Sequence, residues 1–250
     1  MNIRKFRIIL LIILVIVSVY CFVTINQMAH HNESTSDNTA LTHEIIVNNT
    51  TESLGSVEVI RNVGNPNSKK IAYVIGVHPL ENDTHKTFLK VLLSSSNLNY
   101  CYDIYIINVS ENFSSYGQLL PDDEPGRDSG QNLALKYVYP LISNGSYELV
   151  VDVHAHGGAY PYDTFVFSPI DGALAESYGR NISQSTENIS YYNPNHTTSG
   201  PYLTVPLNQH GIPAIYYEEN SFLSQNIKDN HMLELIHAVD NIKFFSLLFE

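Results

Sequence analysis

Cysteine is nearly absent: the 250 residues contain Cys21, Cys101 and no other. Cys21 lies in a long apolar run near the amino terminus, so no disulfide can form within the domain that holds Cys101, which must be held by its core. Cations are also scarce, with 13 Lys and Arg against 25 Asp and Glu and a formal net charge of −12. Arg4, Lys5 and Arg7 are the only charged side chains before residue 26, so the remainder carries −15. Such a chain lacks the electrostatic footprint of a nucleic-acid binder, and an anionic lipid surface repels it. No internal repeat is present.

Long apolar runs are confined to one place. Ile8 to Ile25 is uncharged, mostly Ile, Leu and Val, and follows Arg4, Lys5 and Arg7. Its length is about the minimum for a membrane span, and the basic residues on its amino side predict a cytoplasmic amino terminus with the rest outside. A cleaved signal peptide is the competing reading. The absence of a small-x-small site after Ile25, and a run longer than the usual ~7–15-residue signal core, favour an uncleaved anchor. The expected organisation is a stub and anchor over 1–25, a polar tether over 26–55 and a domain over 56–250, long enough for one good core. Localisation follows as the cell membrane, single-pass, with the domain extracytoplasmic. Ten Asn-x-Ser/Thr sequons, from Asn32 to Asn195, fit an exported surface.

Within the domain, strand and helix patterns alternate. Strands are predicted at Val57 to Ile60, Lys69 to Val77, Tyr102 to Val109, from Leu149, at Phe165 to Phe167 and at Pro213 to Tyr217. Helices are predicted at Thr84 to Ser95, Ser129 to Ile142, Gly172 to Ser185 and Ile227 to Leu248, with loops over 110–127 and 189–201. This order predicts an α/β fold with a mostly parallel or mixed central sheet and helices on both faces.

The chemistry gathers at strand ends. Leu149-Val150-Val151-Asp152-Val153-His154-Ala155-His156 starts as a doubly buried strand and ends in imidazoles before a glycine pair. Alternation places Asp152 and His154 on one side, joined by His156 if the strand continues. His78-Pro79-Leu80-Glu81 follows another buried strand, and Pro79 holds His78 in an extended conformation. His-x-x-Glu spacing also occurs at His30/Glu33 and His231/Glu234, but in the tether and on the closing helix. His78, Glu81 and a third imidazole make a three-ligand set with one open position, as in a catalytic zinc site, and Glu218 ends a third strand where a base can stand.

These motifs resemble the zinc carboxypeptidases and their succinylglutamate desuccinylase/aspartoacylase relatives. The corresponding residues are Gly76-Val77-His78-Pro79-Leu80-Glu81, Val151-Asp152-Val153-His154, Pro125-Gly126-Arg127-Asp128 and Ala214-Ile215-Tyr216-Tyr217-Glu218, in family order over residues 69–220. The resemblance implies one Zn2+ on His78, Glu81 and His154, with His156 as the other candidate for the third ligand. It further implies that Arg127 steadies a substrate oxyanion or carboxylate, that Asn132 assists it, and that Glu218 is general base and then acid. The implied activity is hydrolysis of an amide (peptide) bond by a zinc-activated water, and because an exported domain on a short tether reaches only material close to the membrane, cell-wall or envelope peptides are the expected substrates. Deacylation of small N-acyl amino acids and an inactive binding module on the same fold are the alternatives. The gap from Glu81 to His154 is shorter than the family's, which implies reduced cleft-building loops. His156-Gly157-Gly158 is similar to the oxyanion loop of α/β hydrolases, but no Gly-x-Ser-x-Gly supplies their nucleophile.

Overall fold

The computed structural model describes residues 41–110, 126–194 and 197–244. The expected anchor at Ile8 to Ile25, the start of the tether and the last residues of the closing helix lie outside them. Among the described residues, no helix is long and apolar enough to cross a membrane.

In chain order the elements are β1 (Thr42–Val47), β2 (Gly55–Gly64), β3 (Lys70–Ile75), a 3₁₀ turn (Pro79–Glu81), α1 (Asn82–Ser94) and β4 (Cys101–Val109). Next come α2 (Arg127–Leu133), a π-helical turn (Ala134–Val138), α3 (Tyr139–Ser143), β5 (Tyr147–His156), β6 (Thr164–Phe167) and α4 (Leu174–Ser185). The chain continues through β7 (Ser190–Tyr191), a 3₁₀ turn (Gly200–Tyr202), α5 (Thr204–Gln209), β8 (Ala214–Asn220) and α6 (Gln225–Asp240).

One eight-stranded sheet has the order β1-β2-β4-β3-β5-β8-β6-β7. The central pairs β4/β3, β3/β5 and β5/β8 are parallel, while β1/β2, β2/β4 and β8/β6 are antiparallel, so the sheet is mixed. Side-chain alternation splits the core in two. Ile71, Tyr73, Leu149, Val151, Val153, Ile215 and Tyr217 pack with Phe88 and Leu92 of α1, Ile182 of α4 and Leu235 of α6. Ala72, Val74, Val150 and Ala214 pack on the other face with Leu133, Ala134, Val138, Ile142 and Leu207. Helices therefore cover both faces, as the strand–helix alternation predicts.

Three local expectations change. The sheet already begins within the stretch read as tether, because Thr42–Val47 pairs with β2 and is pinned by cross-strand contacts of Glu44 with Arg61 (2.9 Å) and His43 with Glu58 (2.8 Å). The closing helix ends at Asp240, short of Leu248, because tertiary contacts take over its end. The Asp240 carboxylate accepts from the Asn99 N–H at 2.9 Å and the Tyr102 hydroxyl at 2.6 Å, and the Ile242 carbonyl accepts from the Tyr100 hydroxyl at 2.6 Å. The loop expected over 189–201 contains β7.

The chain leaves β3 toward β4 on one side and leaves β5 toward β6 on the other. The crevice at the carboxyl ends of β3 and β5 is therefore a topological switch point, where open α/β sheets bind ligands.

Candidate metal centre

Gly76 ends β3 with φ 88°, and a Cβ there would stand 1.9 Å from the Ile107 carbonyl oxygen, so only glycine allows the turn that aims the next residues into the crevice. His78 follows with extended backbone, and the 3₁₀ turn opened by Pro79 brings Glu81 back beneath it. The Glu81 carboxylate lies between two imidazoles: Oε1 is 2.9 Å from His78 Nδ1, and Oε2 is 2.9 Å from His154 Nδ1. The two Nδ1 atoms are 3.1 Å apart. Ala155 donates its backbone N–H to Glu81 Oε2 at 3.0 Å, locking the carboxylate against β5. All three residues are buried, and their potential ligand atoms lie within 4.8 Å of one another.

This donor set fits zinc. Tetrahedral bonds of about 2.0–2.1 Å separate neighbouring ligand atoms by about 3.3 Å, a few tenths of an ångström from the spacings found here. Further support comes from Glu218 Oε2, a buried polar atom without a hydrogen bond. Asp152 Oδ2 stands 3.1 Å from His154 Nε2, where a carboxylate can orient a ligating imidazole through its far nitrogen.

The electrostatics are those of a compact cluster. Burial pushes the His154 imidazole down, but Asp152 and Glu81 outweigh it and hold its pKa well above the ordinary value. Burial raises the Glu81 carboxyl, and the two histidines more than reverse this, keeping it ionised. His78 is lowered by burial and by the neighbouring His154. Glu218 is half-buried as a residue, yet its Oε2 is shut off from solvent. That desolvation, opposed by His154, raises its pKa to about 8.

Arg127 opens α2, with Nη1 against the His78 ring at 3.0 Å from Nε2 and donating to Thr198 Oγ1 at 2.7 Å. The helix comes this close because of Gly130, where a Cβ would stand 2.0 Å from the Val77 carbonyl oxygen. Asn132, expected to assist Arg127, is exposed and donates its amide to the Asp128 carbonyl at 2.8 Å. The reason is helical periodicity: residue 131 shares the face of 127, whereas 132 is rotated by about 100°. Gln131 is accordingly the neighbour that faces the cluster, with Nε2 3.3 Å from His78 Nε2.

His156 stays out of the cluster. Its Nδ1 accepts the Gly158 N–H at 3.1 Å, which leaves Nε2 to donate to the Asp163 carbonyl at 3.1 Å. Glu219 points to the opposite face of β8, where its buried carboxylate accepts from the Thr164 hydroxyl at 3.0 Å and from Tyr217 and meets His231 Nδ1 at 3.0 Å. Besides Gln131, two contributors escaped the sequence reading. His85, four residues beyond Glu81 on α1, donates Nε2 to the Val153 carbonyl at 3.0 Å, a helical spacing that could have flagged it. Thr198 carries no such signal.

No family model and no curated relative matches the chain. Among solved structures, the product-bound cell shape determinant protein Csd4 from Helicobacter pylori matches with a TM-score of 0.52 and 14% identity, over 74% of this chain and 54% of that one. The tripeptide-bound form matches with a TM-score of 0.51 and 13% identity over the same shares. The chain has the fold of Csd4. It spans about half the length of that structure, 54%. A succinylglutamate desuccinylase/aspartoacylase from Rhodobacter sphaeroides also matches, with a TM-score of 0.46 and 9% identity over 79% of this chain and 64% of that one.

Proposed function

We propose that the protein is a zinc-dependent hydrolase of amide bonds, with one Zn2+ on His78, Glu81 and His154 and with Glu218 as general base. The observation that carries this reading is the convergence of those three buried side chains at the switch point, with an unbonded carboxylate at the end of the adjacent strand. Zinc on two imidazoles and a carboxylate supplies Lewis-acid polarisation and lowers the pKa of water.

The chain's own groups do the rest. Asp152 orients the His154 ring so that Nδ1 faces the metal. Glu218 Oε2 takes a proton from the attacking water and returns it to the leaving nitrogen. Arg127 binds a substrate carboxylate, or the oxygen that becomes negative as the carbonyl is attacked, with its guanidinium held in place by Thr198.

Peptides are the proposed substrates. Csd4 is described as a D,L-carboxypeptidase and has been solved with a tripeptide and with mDAP. A domain on a short tether outside an anchored membrane segment reaches envelope peptides first. Small N-acyl amino acids are the second class to assay, because the short Glu81-to-His154 connection suits a small substrate. Purified full-length protein is expected to hold one zinc per chain and to release amino acid from peptides. A chain that takes up no zinc, or a zinc-loaded chain that cleaves neither class, is a binding module instead.

The proposed location is the cell membrane, single-pass through Ile8 to Ile25, with the domain extracytoplasmic. Protease added to intact cells is expected to remove the domain and spare an amino-terminal fragment. Full protection of the domain in intact cells, lost on lysis, overturns that topology.

A further inference from the structure

A cavity of about 340 Å³ lies between the first two turns of α1 and the ends of β3 and β4, apart from the residues of the metal cluster. Its origin is a step in the sheet. The parallel pairing ends at Ile75 and Ile106, where Gly76 turns the chain away, while β4 runs on to Val109. α1 bridges that step, with Asn82, Lys86 and Leu89 along one side at helical spacing.

The walls combine three chemistries. Ile75, Leu89 and Ile106 are apolar, Lys86 is a cation and His85 is an imidazole. His85 is only 5% exposed. Because its Nε2 donates to the Val153 carbonyl, the neutral ring keeps a lone pair on Nδ1, and Nδ1 has no hydrogen-bond partner among the described residues. Among the described residues, Lys86 makes no ion pair and the Asn82 side chain makes no hydrogen bond.

We infer that this cavity binds a free α-amino acid with an apolar side chain. A simple anion suits Lys86 but not a lone pair on a buried imidazole, and a simple cation suits His85 but not Lys86. A zwitterion satisfies both. Its ammonium donates to His85 Nδ1 and to the Asn82 side-chain oxygen, its carboxylate pairs with Lys86, and its side chain lies on Ile75, Leu89 and Ile106. His85 ties the cavity to the metal centre, since its Nε2 holds the carbonyl of the residue before His154 and lies 3.9 Å from Glu81 Oε2. The inference stands on the cavity and does not rest on the hydrolase reading.

Calorimetric titration of the full chain with L-leucine tests it. Saturable binding is expected, with glycine, N-acetyl-L-leucine and 4-methylvalerate each at least about tenfold weaker, since each lacks one of the three matched groups. Lys86→Gln, an exposed change that leaves the core intact, is expected to weaken leucine roughly 10- to 100-fold. Leu89→Trp, which fills the cavity, abolishes binding, and His78→Ala leaves it unchanged. Absence of leucine binding by the wild-type chain overturns the inference, as does binding indifferent to Lys86→Gln. Loss of binding in His78→Ala places the leucine at the metal centre and overturns it equally. A chain that binds leucine and hydrolyses nothing refutes the proposed function while this site stands.

Discussion

Glu218→Gln is expected to keep its zinc and to lose roughly 10²–10⁴-fold in kcat, with KM little changed. The substitution preserves shape and removes only the capacity to carry a proton, at a position where Oε2 makes no hydrogen bond that the amide would break. Metal content and kcat measured on the same preparation decide it, and a variant as active as wild type sinks the assignment. The same variant has a signature in the metal-free chain. With a folded-state pKa of about 8 against an ordinary 4.5, the folded form holds its proton through a window in which the unfolded form has lost it. Stability therefore falls as pH rises from about 4.5 to about 8, by up to about 1.4 kcal/mol per pH unit. Glu218→Gln removes that slope, which denaturant titrations at several pH values read directly. Glu219→Gln tests the neighbour: its loss falls on stability, because one of the two carboxylate oxygens becomes an amide donor and either Tyr217 or the Thr164 and His231 pair loses its buried acceptor, and turnover by the folded fraction is retained.

His154→Ala is expected to lose zinc outright, whereas His156→Ala retains it. His154 Nδ1 is one of three ligand atoms converging on one point, and removing one of three protein ligands leaves a two-ligand site that cannot compete for the ion. His156 has both ring nitrogens committed to backbone groups. Its loss unties the turn through Gly157 and Gly158 without touching the cluster. Metal analysis after dialysis of both variants reads the difference, and retention by His154→Ala with loss by His156→Ala would transfer the third ligand by two residues.

These outcomes depend on two kinds of information. The sequence by itself determined which residues end strands and on which side of each strand they lie, because alternation is a property of one chain segment. It separated His78-Pro79-Leu80-Glu81 from the two other His-x-x-Glu pairs through the buried strand before it, and the β–α alternation carried the sheet with helices on both faces. Only the tertiary structure decided which of those ends meet. That His78 and His154 share a crevice follows from β5 lying beside β3 with β4 on the other flank, an order no local pattern encodes. The placing of His154 and not His156 in the cluster came from Gly158 and Asp163 taking up the second ring, and the placing of Gln131 and not Asn132 against His78 from the rotation of α2 where Gly130 seats it on Val77. Contacts between residues far apart in the chain, such as Thr198 with Arg127 or His85 with Val153, follow from packing, and packing is a property of the whole core.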